Sequence, residues 1–416
     1  IELLGIKKYF NDIIISDIEV GPSKRDAFSQ LIKKHNLKPK ETMVIGDRIQ
    51  SEIKIGNQLG MTTVRMLKGR FKDLDPKNDL EEPDFVINKL KDLLKIIDRK
   101  NKKPKIVAIG GGTGQYTLLR GLKKYNADIT AVVSTMDNGG SSGRLRVEFG
   151  VLPPGDLRNC LLALADESEL KELMELFEYR FPKEKNSSLS NHSMGNLILT
   201  ALTDLEGDIG AAVKKTARIL KIKGNVYPVS VDDAHVYAKT KKGKILAGQV
   251  DVSYPEEKEK IKKLWLSPKA KIYKDAKKSI KEADLIVICP GDLYGSILPN
   301  FLVKGMKKAL KESSAKIVYV SNLVTKQGTY GFKASDFVKE VNKYTGKTID
   351  YAICNTKKPS ERIVDKYKKE QSFFVKPDIE GENVIKKDLL KEHKSNNKII
   401  ARHDSNKISE IIMNLI

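Results

Sequence analysis

Thiols are scarce here: Cys160, Cys289 and Cys354 are the three cysteines in 416 residues. Their odd number and wide separation exclude a disulfide scaffold, and without a C-x-x-C pair they outline no zinc site. A reducing compartment fits. Arginine is sparse beside lysine, 13 against 63, and no tract is arginine-rich or interleaves aromatics with cations. The formal charge of +22 is therefore read as lysines on solvated helix faces, such as Lys278 and Lys281 or Lys307, Lys308 and Lys311. That distribution argues against nucleic acid as a partner and leaves a general attraction for anionic ligands. No apolar run reaches the roughly 18 residues of a bilayer span, and no signal-peptide pattern opens the chain, so a cytoplasmic protein without membrane insertion is expected. The chain opens at Ile1 as if in mid-domain, which predicts a further segment upstream.

What is present is length and apolar content, with 40% hydrophobic residues, enough for two or three domains with real cores. The run Asp98–Lys105 carries a proline and no apolar periodicity, and is read as a boundary. It separates a segment over 1–97 and a linker over 98–104 from a main domain over 105–416. In the first segment Thr42–Asp47 reads as a buried strand ending in an acidic turn, Ile53–Leu59 as a helix and Thr62–Met66 as another strand. In the main domain strands are predicted over 105–109, 129–135, 284–289, 316–320 and 350–354. Helices are expected near 114–125, 156–165, 169–179, 193–204, 208–220, 296–311 and 334–344. Alternation of this kind predicts an α/β, doubly wound, mainly parallel sheet. Residues 226–252 differ, being short, turn-bounded and alternating, and predict a small antiparallel insertion serving as a lid or a dimer surface.

Chemistry concentrates where predicted strands end. Ile106–Ile109 breaks into Gly110, Gly111, Gly112, Thr113 and Gly114, followed by Leu118, Leu119 and Leu122 at helical spacing. Backbone N–H groups at a helix start carry partial positive charge, and glycine lets an anion approach them, so the motif suits a nucleotide phosphate. It suits close packing of helix on sheet equally well. A second loop, Ser134–Arg144, offers Asp137, Asn138, Gly139, Gly140, Ser141, Ser142 and Arg144, whose hydroxyls and amides suit a diphosphate. Next come Pro153 and Pro154 ahead of Gly155, Asp156, Arg158 and Asn159, where Asp156 serves as helix cap or site carboxylate. Asn191, His192 and Asn196 then cluster at the start of an apolar helix, with His192 either structural or ligand-contacting. Gly291, Asp292 and Tyr294 follow another apolar strand, and two glycine loops at strand ends of one parallel sheet tend to converge on one crevice. Asn322 ends a further strand and suits base or sugar recognition. Near the C-terminus Arg402 is placed to reach a phosphate or to pair with Asp404. In the N-terminal segment, Lys24 and the pair Asp47 and Glu52 suit Mg²⁺ beside a phosphate.

Residues 1–97 resemble the C-terminal half of the haloacid dehalogenase-like phosphohydrolases, whose later motifs are a lysine and G-D-x-x-x-x-D/E. No Asp-x-Asp nucleophile precedes Lys24, so the resemblance implies a partial module that is inactive as written and a phosphatase only if an upstream segment supplies that motif. The ordered motifs over 104–416 resemble the gluconeogenesis-factor family, in one superfamily with the 2-phospho-L-lactate transferases. This resemblance implies a Rossmann-like fold, a nucleotide-diphosphate ligand and homodimers. The gluconeogenesis-factor branch implies a cytoplasmic regulator of carbon flux, cell shape and envelope synthesis that binds a nucleotide sugar such as UDP-N-acetylglucosamine. The transferase branch implies an enzyme of deazaflavin coenzyme synthesis acting on a guanosine-linked donor, with Asp137 and Asp156 as catalytic ligands of Mg²⁺. Transferases carry Asp-Asp in the second loop and Ser-Pro-Asp-x-Asp in the third. Asn138 and Gly155 stand in the corresponding loops here, and the loss of carboxylates weakens metal-assisted transfer.

Overall fold

Runs such as Ile106–Ile109 and Leu285–Ile288 have no polar face, and only a parallel sheet covered on both sides buries such strands completely. The computed structural model describes residues 5–14, 23–101, 103–184, 187–256, 259–395 and 398–416, so Gly21 and Pro22 of the Lys24 motif lie outside them. It divides into two compact units, Ile1–Lys102 and Lys103–Ile416.

The larger unit is built on β1 (Lys105–Gly110), β2 (Asp128–Val133), β3 (Asn225–Pro228), β4 (Leu285–Ile288), β5 (Lys316–Val320), β6 (Tyr351–Asn355) and β7 (Val384–Lys387). Their spatial order is β7-β6-β5-β4-β1-β2-β3, and every neighbouring pair is parallel. The chain thus winds outward from β1 in one direction through β2 and β3, then returns and winds the other way from β4. Side chains alternate between two cores: Ile106, Ala108, Val287 and Val318 face one, Val107, Ile109, Ile288 and Ile317 the other. The first core is closed by the helices Gly112–Leu122, Gly155–Leu164 and Ser405–Met413 through Leu118, Leu161 and Ile408. The second is closed by Lys274–Lys281 and Ala334–Thr345 through Ile280 and Phe337.

Three expectations need correction. The segment starting at Val226 is no part of an antiparallel insertion: β3 lies parallel to β2, with Ala131 opposite Val226. The rest of the expected insertion is antiparallel, with His235–Thr240 paired to Ile245–Ala247, and the sheet extends beyond it to Ile261–Ser267. An edge strand such as β3 alternates half-buried and buried residues, which gives it the period of an antiparallel strand. The continuous helix expected over 296–311 is broken into a π-turn Leu293–Ile297 and helices Leu298–Leu302 and Met306–Glu312. Gly305, at φ +99°, provides the left-handed turn between the last two. Finally, Asp92–Asn101 is helical, so the charged run from Asp98 begins inside a helix.

The smaller unit holds a three-stranded parallel sheet of Met43–Gly46, Thr62–Met66 and Phe85–Ile87, in that order. Among the described residues of the whole chain, no helix is long and apolar enough to cross a membrane. Cys160, Cys289 and Cys354 are buried free thiols.

Candidate functional site

The order of the main sheet reverses between β1 and β4, and loops leaving the carboxyl ends of two such strands open a crevice at that point. Both loops are the glycine motifs. A Cβ on Gly114 would lie 1.8 Å from the carbonyl oxygen of Pro290, and one on Gly291 would lie 3.3 Å from that of Gly111, so the loops interlock backbone to backbone. Gly112 takes φ +72° and turns the chain directly into its helix. Gln115, on the buried face of that helix, donates to the carbonyls of Ala108 (2.9 Å) and Val132 (3.1 Å) and ties the helix start to β1 and β2. Its signal was a polar residue in register with Leu118, Leu119 and Leu122.

The crevice bounded by these loops has a volume of about 260 Å³. Gly111–Gly114, Gly291, Asn322, Lys326, Arg402 and His403 line it. The Asn322 amide donates to the Gly291 carbonyl at 2.5 Å, so this residue holds the second glycine loop. Lys326 pairs with Asp292 at 3.0 Å, and Asp292 also accepts the Gly295 N–H. Burial works against the Lys326 ammonium, but the Asp292 carboxylate and Tyr254 outweigh it and leave its pKa above the usual range. His403 is 6% exposed, and its Nε2 has no hydrogen-bond partner. Burial holds its imidazole neutral, its pKa brought down to about 4, against the opposing bond to the Ser321 backbone. Neither Lys326 nor His403 follows a glycine motif, and the topology alone brings them to the crevice.

Behind the first glycine loop stands a buried carboxylate, Asp156, on which the charge of Asp137 acts. Asp156 accepts the Gly112 N–H, and a Cβ on Gly111 would lie 2.9 Å from its Oδ2. Burial, and then the negative charge of Asp137, push the Asp156 carboxyl up to about 7. Asp137 is itself raised by burial, although it accepts the Gly139 N–H at 3.0 Å and a bond from Ser142. Two buried carboxylates, one of them raised by the charge of the other, form a place where a divalent cation gains by neutralising both. Among the described residues no group of three ligating side chains exists, so a Mg²⁺ held by Asp137 and Asp156 would take its other oxygens from phosphate and water. The ion would supply charge neutralisation of that phosphate.

The remaining candidates form a separate polar network behind the second loop. Ser141 Oγ bonds His192 Nδ1 (2.9 Å) and Asn196 Nδ2 (3.0 Å). Arg158 donates to Ser193, to Asn196 Oδ1 (2.9 Å) and to Asn159 Oδ1 (2.7 Å). Ser142 accepts the Gly155 N–H at 3.1 Å, Asn138 accepts the Val250 N–H at 3.0 Å, and Arg144 donates to the Ser190 carbonyl. Asn191 is exposed at φ +60°, with its carbonyl bonded by Arg180. Burial keeps His192 neutral, with the Arg144 charge adding to the effect. Tyr294 points into the core against Phe332, and Asp404 caps the last helix through Asn406 and Lys407.

With this geometry in hand, the family follows from sequence comparison. The model for 2-phospho-L-lactate transferase CofD matches residues 106–396. A putative gluconeogenesis factor of Thermotoga maritima is 42% identical over 314 residues, 74% of this chain and 98% of its own length. This chain belongs to the gluconeogenesis-factor family. The gluconeogenesis factor of Bacillus subtilis is 39% identical over 323 residues, 76% of this chain and 99% of its own. A crystal structure of a UPF0052-family protein from Bacillus halodurans superposes with a TM-score of 0.69 at 36% identity, covering 75% of this chain and 99% of that one. The gluconeogenesis-factor resemblance thus extends over the larger unit.

A HAD-hydrolase-like model matches residues 20–93, within the smaller unit. There Lys24 is ion-paired with Glu52, and Asp47 lies against Gly69. The lysine and Glu52 neutralise one another.

Proposed function

We propose that the larger unit binds a nucleotide-diphosphate sugar of the UDP-N-acetylglucosamine type, and that the protein is a cytoplasmic regulator of carbon flux, cell shape and envelope synthesis. The observation that carries this reading is the backbone interlock of Gly111–Gly114 with Pro290–Gly291 at the point where the strand order reverses. The diphosphate sits on the N-terminal N–H groups of the helix Gly112–Leu122, with Lys326 and Arg402 supplying cations at the rim. Ser141, Ser142, Arg158 and Asn196 act behind it by fixing the second loop. Titration calorimetry with UDP-N-acetylglucosamine, GDP and GTP tests the reading. Saturable binding of the uridine sugar is the expected result, and binding of guanine nucleotides alone overturns it.

One observation favours a second reading, a 2-phospho-L-lactate transferase-like enzyme. The Asp137 charge raises the buried Asp156 carboxyl, and two such carboxylates suit a Mg²⁺-assisted phosphotransfer. Mg²⁺-dependent turnover of a guanosine-linked phospholactyl donor supports that reading, and its absence with the donor bound counts against it.

A further inference from the structure

Beside the glycine crevice lies a larger cleft of about 800 Å³, and the two share a wall made of Thr113, Thr117, Arg402 and His403. The crevice alone, at about 260 Å³, falls below the roughly 300–1,000 Å³ of a typical small-molecule site. A nucleotide sugar whose diphosphate lies there must therefore extend out of it, and the adjoining cleft has room for what extends.

His403, in the shared wall, shows what that extension has to bring. Its imidazole bonds the Ser321 backbone, and the Ser321 N–H is already given to the Ile353 carbonyl, so the ring donates to the Ser321 carbonyl. Nε2 has no partner among the described residues, which puts that bond and the proton of the neutral ring on Nδ1 and leaves Nε2 an acceptor. His403 is more than nine-tenths buried, and an acceptor buried without a donor costs free energy. The diphosphate cannot supply that donor, because its ionised oxygens only accept. A hydroxyl group can.

The rest of the cleft suits a neutral occupant. Arg120 and Lys123 are ion-paired with Glu167, Lys223 is ion-paired with Asp166, and Lys124 donates to Asn406. A hydroxyl both donates and accepts, so it joins such a pair without taking either charge from its partner. A charged group would have to displace one of them.

We propose that the neutral sugar of the bound nucleotide lies in this cleft and that one of its hydroxyls donates to His403 Nε2, while the glycine loops and Arg402 hold the diphosphate. This rests on the reading of the crevice as a nucleotide-diphosphate site, and adds where the sugar goes and which side chain recognises it.

Calorimetric titration of the full chain with UDP and with UDP-N-acetylglucosamine tests it. The sugar is expected to raise the affinity at least about tenfold over UDP, a difference of about 1.4 kcal/mol. Lys391 is exposed and lines the larger cleft but not the crevice, so Lys391→Trp narrows the cleft from the surface. It should lower the affinity for the sugar nucleotide at least about tenfold and leave that for UDP unchanged. His403→Asn keeps a donor where Nδ1 stands and removes the Nε2 acceptor. It should cut the ratio of the two affinities about three- to tenfold, the worth of one uncharged hydrogen bond. His403→Gln carries an acceptor at the Nε2 position and should retain most of the ratio. A ratio near one in the wild type, or one that survives either Lys391→Trp or His403→Asn, overturns the inference while UDP binding preserves the crevice reading. A loss shared equally by UDP and the sugar nucleotide puts the nucleoside in the cleft and overturns it too. Failure of both ligands to bind the wild type overturns both readings. Lys391→Trp, at the surface, remains decisive if the buried change prevents folding.

Discussion

Asp156→Asn raises the melting temperature of the ligand-free protein at pH 8 and leaves it nearly unchanged at pH 5. The folded Asp156 carboxyl titrates at about 7, against 3.8 for its ordinary value, because burial and Asp137 both oppose its charge. Between these two values the folded protein binds more protons than the unfolded chain, so stability falls as pH rises through that window. Above pH 7 the ionised carboxylate costs the fold up to roughly 4 kcal/mol. At pH 5 the native carboxyl is already neutral, and asparagine matches its shape and still accepts the Gly112 N–H. The variant should therefore gain several degrees at pH 8 and lose the Mg²⁺-dependent part of nucleotide binding. Melting curves across pH 5–8 decide the matter. A variant less stable than wild type at pH 8, or an effect independent of pH, shows that Asp156 is no strained site carboxylate.

Gly114→Ala should be the most damaging single methyl group in the larger unit. The added carbon would lie 1.8 Å from the Pro290 carbonyl oxygen and 2.7 Å from its carbon, both backbone atoms that no rotamer change removes. Relief requires the helix Gly112–Leu122 or the loop after β4 to move, and overpacking of this kind costs about 1–3 kcal/mol, with a backbone clash at the upper end. The same shift separates the two loops that form the crevice. Urea unfolding should show a lower midpoint, and nucleotide affinity should fall at least about 100-fold, close to 3 kcal/mol. Wild-type stability together with wild-type affinity would contradict the interlock. Gly112→Ala makes a useful contrast, because its Cβ meets nothing within 4 Å and only the left-handed φ of +72° opposes it.

Much of the sheet was legible because fully buried parallel strands read as unbroken apolar runs, as in Ile106–Ile109 and Leu285–Ile288. Edge strands were not. Val384–Lys387 pairs with β6 but ends in two lysines and buries none of its four residues, so nothing in its pattern distinguishes it from a loop. The hairpin carrying Arg402 is likewise rich in lysine, and its fold depends on pairing across the turn. At the site, the glycine loops could be read locally because the demand for close approach is local. Lys326 reaches the crevice from a segment whose sequence shows no motif, and topology alone places it. The inward turn of Tyr294 has a local cause: the π-turn Leu293–Ile297 shifts side-chain phase relative to a regular helix. The polar residues of the second loop and the two helices that follow it suit a ligand, whereas Ser141, Arg158 and Asn196 are bonded into one network with His192 and Ser193. Polar residues that hold a loop and polar residues that touch a ligand look alike in sequence.

The most direct test is a crystal structure of the protein with UDP-N-acetylglucosamine and Mg²⁺. The diphosphate is expected against the N–H groups of Gly112–Gly114 and beside Gly291, with Asp137 and Asp156 facing the metal. Nucleotide density elsewhere, with the glycine loops in contact only with each other, would reduce them to a packing device and contradict the account.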